Sequence, residues 1–170
     1  MNAEILIIGG GVIGSSIAYH LARQGRQGLV IERSSVAASP AASWASAGGV
    51  RRQGRHRAEA KLAVEAIERW RALEQELAAD LRYCRGGNLL LAESDAEAEQ
   101  LTVFVQQQQA MGFADVRLVD REEAHTLVPG LNDRVMAGSY SPSDGQADPA
   151  LTTRGMARIR AKIDHRTRMF

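Results

Sequence analysis

Apolar residues open the chain in a pattern that passes from strand to turn to helix and back to strand. Ile5-Leu6-Ile7-Ile8 is a continuous apolar run, long enough for a buried strand and too short to span a membrane. Gly9-Gly10-Gly11-Val12-Ile13-Gly14 follows at once. Beyond it, Ile13, Ile17, Ala18 and Leu21 recur at helical spacing, and Gly25 is placed to end that helix. Leu29-Val30-Ile31 predicts a second buried strand, with Glu32 at its end.

Further along, Leu62, Ala66, Trp70, Leu73 and Leu77 recur every three or four residues between Arg and Glu, which predicts a core-facing helix over 56–79. Gly86-Gly87 turns into a strand at Asn88-Leu89-Leu90-Leu91-Ala92. Ser94 and Glu97 form a capping box for a helix that runs to about Met111, with Gly112 to cap its end. Residues 116–119 suit a strand, Asp120 with Glu123 opens a short helix that stops before Pro129-Gly130, and residues 135–140 form another strand. Ser141-Pro142-Ser143-Asp144-Gly145 is a turn, and Asp144 is explained by it without a catalytic role. Asp148-Pro149 starts a last helix, as N-cap and first helical residue. His56 and His125 fall in structural positions of this scheme.

The strand–turn–helix–strand–acid order of the first 32 residues is that of a dinucleotide-binding unit. Gly9, Gly11 and Gly14 supply the spacing G-x-G-x-x-G. The first permits a tight turn, the second lets the backbone approach a pyrophosphate, and the third lets the helix pack close on the strand. The helix N-terminus then offers free amides and a partial positive charge to the phosphates. Glu32 can accept hydrogen bonds from ribose hydroxyls, and its charge would repel a 2′-phosphate, which disfavours NADP.

Bulk properties narrow the picture only slightly. A chain of 170 residues can bury a substantial core. Its net charge of +1 gives no global field for nucleic acid, and acids are interspersed among the arginines. Cys84 is the only cysteine, so no intramolecular disulfide forms; it is expected to be a half-buried, inert thiol. That usage, with no signal peptide and no transmembrane run, fits a cytoplasmic protein. No cluster of metal-ligating residues stands out, and no partner subunit is indicated.

Residues 33–49 are rich in Ser, Ala and Gly, which suits either a flexible linker or a loop lying against a flat ligand; Trp44 argues against the free linker. Three passages then carry a resemblance. They are Gly9-Gly10-Gly11-Val12-Ile13-Gly14-Ser15-Ser16-Ile17-Ala18-Tyr19-His20-Leu21-Ala22, Ser43-Trp44-Ala45-Ser46-Ala47-Gly48-Gly49-Val50-Arg51, and Tyr140-Ser141-Pro142-Ser143-Asp144-Gly145-Gln146-Ala147-Asp148-Pro149. In this order they resemble the D-amino-acid oxidase superfamily of flavoproteins, which includes glycine oxidase, sarcosine oxidase and related amine dehydrogenases.

The resemblance implies an α/β chain: a Rossmann-like FAD-binding domain with part of an inserted α+β substrate domain. It divides the chain into 1–84 (FAD domain), 85–142 (partial substrate domain), 143–163 (a helix returning to the FAD domain) and 164–170 (an atypical tail). It implies FAD as cofactor, held by Gly9, Gly11, Val12, Ile13, Gly14, Glu32 and Arg33 and, largely through the backbone, by Ser43, Ala47, Gly48 and Gly49. Arg51 and Arg52 would lie near the flavin or a substrate carboxylate, where a guanidinium can bind bidentately. Some relatives attach FAD through a histidine beside the tryptophan of this loop; Ala45 stands there, so no such bond is expected. The implied reaction is oxidation of the C–N bond of a small amino acid or N-methyl amino acid, with hydride passing from the α-carbon to flavin N5 and water hydrolysing the imine.

The resemblance fades after about Ala161, where relatives continue into a further strand, the rest of the substrate domain and a C-terminal segment completing the flavin site. The expectation is therefore a C-terminally truncated or frame-shifted chain. Two other readings stay open: a dinucleotide-binding fragment that turns nothing over, and an NAD-dependent Rossmann dehydrogenase.

Overall fold

The computed structural model describes residues 4–158 and, for the main chain alone, residues 164–167. The expected atypical tail therefore lies outside the described residues, apart from that short stretch of main chain.

In chain order, β1 (Ile5–Ile8) leads through the glycine turn into α1 (Val12–Arg23) and β2 (Gly28–Glu32). A short helix α2 (Ala42–Ala45) and a two-residue strand β3 (Gly49–Val50) precede a 3-10 turn (Arg57–Glu59) and the long helix α3 (Ala60–Leu77). Then come β4 (Asn88–Ala92), α4 (Asp95–Ala110), β5 (Arg117–Asp120), α5 (Arg121–Leu127), β6 (Ala137–Ser141) and β7 (Gly145–Gln146). The chain goes on through α6 (Pro149–Ala157) to β8 (Asp164–Thr167).

The predicted caps are in place. Ser94 Oγ accepts from the amide of Glu97, and Glu97 reaches back to the amide of Glu93 at 2.7 Å. Asp120 caps α5 through the amide of Glu123, and Asp148 caps α6 through that of Leu151. Gly25 and Gly112 follow the last residues of α1 and α4 with φ of +72° and +95°, the left-handed geometry a helix stop requires. His56 Nδ1 accepts from the amide of Ala58 at 3.2 Å and so caps the 3-10 turn.

Two compact units emerge, and they do not follow the order of the sequence. One comprises Met1–Gly48, Ala72–Tyr83 and Ala147–Phe170; the other comprises Gly49–Arg71 and Cys84–Gln146. Residues 49–71, assigned from sequence to the FAD domain, thus group with 84–146.

In the first unit β1 and β2 pair in parallel, Ile5 opposite Gly28 through Ile8 opposite Ile31, and the main chain of β8 continues the sheet beyond β2. Parallel strands need a crossover, which α1 supplies. Ile7, Ala18 and Val30 form the core, with Ile5 and Leu21 packed around them. Strand β1 was expected to be buried throughout. Alternation along the strand instead leaves Leu6 54% and Ile8 83% exposed on the face opposite α1.

The buried face of α1 matches the expected one at Ala18 and Leu21 only. Ser15, Ala18, Tyr19 and Ala22 are buried, whereas Ile13 and Ile17 are exposed. Helix α1 packs against α6 as well as the sheet, and small residues allow that close approach. Leu73, Leu77 and Leu81 are buried in the same unit, and Gly155 of α6 lies so close that a Cβ would meet Leu77 and Leu81 at 3.3 Å.

In the second unit β6 lies between β4 and β5 and is antiparallel to both. Strands β4 and β5 therefore run parallel, joined across β6 by α4, a split βαβ arrangement. Ala60, Val105, Phe113 and Val116 form one core of this unit, and Val119, Ala124 and Val135 form another. Strand β3 pairs antiparallel with β7, and Cys84 bridges to Gln146 beside it. The thiol of Cys84 is exposed, not half-buried as expected.

The stripe on α3 is only partly core. Leu73 and Leu77 are buried, but Leu62 and Ala66 on the predicted face are exposed, and Leu62 reaches 69%. Among the described residues no helix is long and apolar enough to cross a membrane.

Candidate functional site

The glycine turn joins β1 to α1 in the first unit, and each glycine has its own steric reason. Gly9 has φ +101°, and a Cβ built on it meets nothing within 4 Å, so the space above the turn is open. A Cβ on Gly11 would meet only the Ser43 hydroxyl, at 3.3 Å. A Cβ on Gly14 would lie 1.9 Å from the carbonyl oxygen of Gly9 and 3.3 Å from Ile7, so only glycine lets the helix sit this close to the strand. The amide of Gly9 donates to Ile31 O at 2.8 Å, tying the turn to the end of β2.

Helix α1 begins at Gly11, which has no side chain to cap it. The amide of Val12 is taken instead by Ser43 Oγ at 2.8 Å. Ser15, buried at 1% exposure, donates its hydroxyl to Gly10 O at 3.1 Å and holds the turn from below. Ser15 was not singled out from the sequence; a serine after three glycines carries no signal of its own.

Glu32 turns back onto this structure. Its carboxylate accepts from the amide of Gly10 at 2.6 Å and from that of Ser34 at 3.1 Å. Burial pushes its pKa up, but the amides of Gly10, Ser34 and Arg33 and the Arg33 charge outweigh that and hold it below the ordinary glutamate range. Each carboxylate oxygen has a second lone pair, so Glu32 keeps capacity for a ribose hydroxyl. Val12 is half-buried, while Ile13 and the Arg33 side chain are exposed.

The Ser/Ala/Gly loop is held on the same unit. Ser43 is buried at 8% exposure and Ala47 is exposed. Gly48 has φ +75°, and a Cβ there would strike Ala147 O at 2.0 Å; Gly48 O in turn accepts from the amide of Ala147 at 3.0 Å. Gly48 is thus required by the close approach of residues 147–149. Gly49 begins the second unit, and a Cβ there would meet nothing within 4 Å.

The two candidate arginines, both in the second unit, separate sharply. Arg51 is exposed and donates to Gln53 O at 2.7 Å. Arg52 is buried: its guanidinium pairs with Asp115, and its Nε lies 3.7 Å from Asp144 Oδ1. Burial lowers its pKa while Asp144 and Glu68 raise it. The charge of Arg52 is met within the second unit by Asp115 and Asp144.

Asp144 turns out to be more than a turn residue. It is fully buried, and its two oxygens accept from the amides of Arg52 at 3.0 Å and Gln53 at 3.1 Å. No local pattern could reveal a contact that reaches back 92 residues.

The residues of the first unit fit a dinucleotide. The turn is open where a diphosphate would lie, α1 begins at it, and an ionised carboxylate stands at the end of the second strand.

Comparison with known proteins agrees. The model of the FAD dependent oxidoreductase family DAO matches residues 4–162. Dimethylglycine dehydrogenase of Rattus norvegicus mitochondria is 31% identical over 167 residues, covering 92% of this chain and 18% of that protein. Glycine oxidase of Bacillus licheniformis is 29% identical over 161 residues, covering 91% of this chain and 42% of that one. Among solved structures, L-proline dehydrogenase from P. horikoshii superposes with a TM-score of 0.86 at 29% identity, over 98% of this chain and 44% of its own. The chain spans less than half the length of each.

Proposed function

The chain belongs to the family of FAD-dependent oxidoreductases, and on that premise we propose that it binds FAD at the Gly9–Gly14 turn and serves the oxidation of a small amino acid or N-methyl amino acid. The observation that carries this reading is the open turn with the Glu32 carboxylate anchored at Gly10 beside it. The substrate class is drawn from relatives named for glycine and dimethylglycine.

Bound FAD supplies a two-electron acceptor for the hydride of the substrate α-carbon, leaving an imine for water to hydrolyse. The chain's own part is to bind and orient. Gly9 and Gly11 keep side chains out of the pyrophosphate's path, and the N-terminus of α1 provides amides and positive dipole for its charge. Glu32, ionised across the neutral range, accepts the ribose hydroxyls. Ser43 Oγ borders the turn on the loop side and fixes that loop to the first amide of α1, and Ala47 and Gly48 follow it along the same loop. With Ala45 beside Trp44, this loop offers no histidine for a covalent bond to the cofactor.

The test is direct. The purified chain should show the visible absorption of an oxidised flavin, or take up FAD on titration, and should release it on denaturation. Anaerobic addition of glycine, N-methylglycine or N,N-dimethylglycine should bleach that band. Failure to take up FAD at any concentration overturns the binding reading; binding without bleaching by any amine overturns turnover by this chain.

A further inference from the structure

Helix α4 turns one face inward and leaves another bare. Val105 and Gln108 are buried. Ala96, Gln100, Val103 and Gln107 are exposed, and Phe104 and Met111 half-buried, at the three- and four-residue spacing of a single helix face. Two hollows flank this face within the second unit. One, of about 450 Å³, is bordered by Glu99, Gln100 and Val103. The other, of about 650 Å³, has Met111 on the helix side and Arg55 and Arg57 on the loop side. Phe104 and Gln107 border both.

Charges are sorted along this helix. Asp95, Glu97 and Glu99 stand in its first two turns. The amide of Gly54 donates to Gln108 Oε1 at 2.8 Å, which ties the loop carrying Arg55 and Arg57 to the last turns of α4. One end is therefore acidic and the other basic. Among the described residues, Glu99 and Arg57 enter no hydrogen bond or ion pair.

The bare face reads the same from either end. Under a two-fold axis passing between Val103 and Phe104, Val103 meets Phe104 of a second copy, Gln100 meets Gln107, and Ala96 meets Met111. Each pair is compatible: apolar on apolar at the centre, two amides that both donate and accept, and a small residue beneath a long flexible one. The same rotation brings Glu99 to the level of Gln108, where the loop with Arg55 and Arg57 is tied on. Antiparallel helices also set the acidic N-terminal end of one against the basic C-terminal end of the other. A closed two-fold contact needs one self-complementary patch, which this face provides.

We propose that this face of α4 is the docking site for a second copy of the chain, the two α4 helices lying antiparallel across an axis at Val103 and Phe104. Two 16-residue helices share a length of only about 24 Å, so the contact is small. A dimer this slight should dissociate with a constant on the order of 10–100 µM. The glycine turn belongs to the first unit, so the pairing does not rest on the cofactor reading.

Sedimentation equilibrium of the full chain over a concentration series tests it. A monomer–dimer equilibrium should appear, and added salt should weaken it, because the end contacts join exposed charges. Val103 is 54% exposed, so Val103→Glu should fold, set two like charges at the axis and leave a monomer at every concentration. Glu99→Arg and Arg57→Glu should each weaken the dimer about five-fold or more. The double variant, which exchanges the two charges, should restore it. Melting temperatures read alongside show that each variant is folded. A chain that stays monomeric, single charge reversals that change nothing, or a double variant no better than the singles overturns the pairing. So does association that Ile8→Glu, on the exposed face of β1, abolishes while Val103→Glu does not.

Discussion

Gly14 and Gly9 stand so close that a Cβ on the first would lie 1.9 Å from the carbonyl oxygen of the second. The obstacle is backbone, which cannot rotate aside as a side chain can. Gly14→Ala should therefore cost on the order of 3 kcal/mol and displace α1 from β1. Gly49→Ala, where a Cβ meets nothing within 4 Å, should change stability by less than about 0.5 kcal/mol. Urea denaturation of both variants makes the comparison; equal losses would contradict the steric account.

Glu32 links the turn to the acid limb of stability. Its folded pKa lies below the unfolded value, so the stabilisation it provides is complete above the ordinary glutamate range and is lost as pH falls through the folded pKa. The melting temperature of the wild type should drop on acidification through that range, and Glu32→Gln should flatten part of the drop. At neutral pH the same variant should weaken FAD uptake, because an amide is a poorer acceptor than a carboxylate.

Asp144 gathers two backbone amides and the neighbourhood of the Arg52 guanidinium around one fully buried carboxylate. Asp144→Asn puts an NH2 group against one of those donors and leaves Arg52 less compensated. The expected cost is about 3–5 kcal/mol, typical of breaking a buried charge pair by one partner. A loss under about 1 kcal/mol in denaturant titration would show that the loop holds without it.

Tyr19 is buried in the first unit, and its hydroxyl donates to Glu76 at 2.7 Å. Burial, the hydrogen bond to Glu76 and the Glu76 charge raise its pKa. The neutral phenol is the stabilised form, so its contribution persists to alkaline pH and is lost only as pH rises through the raised folded value. Tyr19 should titrate above the ordinary range in an ultraviolet pH titration, and Tyr19→Phe should remove that step. The same change should cost about 1 kcal/mol, because Glu76 keeps its partner Arg23 at 2.6 Å.

What could be read from the sequence was local. The N-caps at Ser94 and Asp120, the Asp148-Pro149 helix start and the helix stops at Gly25 and Gly112 each involve residues within a few positions, and all stand where expected. The Gly9–Gly14 turn was legible for the same reason, since the glycine spacing that encodes a strand-to-helix junction is itself local.

Only the tertiary structure decided which apolar faces are covered. Leu6, Ile8, Ile13, Ile17 and Leu62 fit the expected periods but are exposed, while Ser15 and Asp144 are buried. Periodicity marks a face of an element; burial depends on what packs against it, and that is chosen by contacts across dozens of residues. The same long reach separates Arg52, bound to Asp115 and Asp144, from its neighbour Arg51, which remains exposed. Adjacent arginines look alike in sequence, and only the position of distant carboxylates buries one and leaves the other exposed.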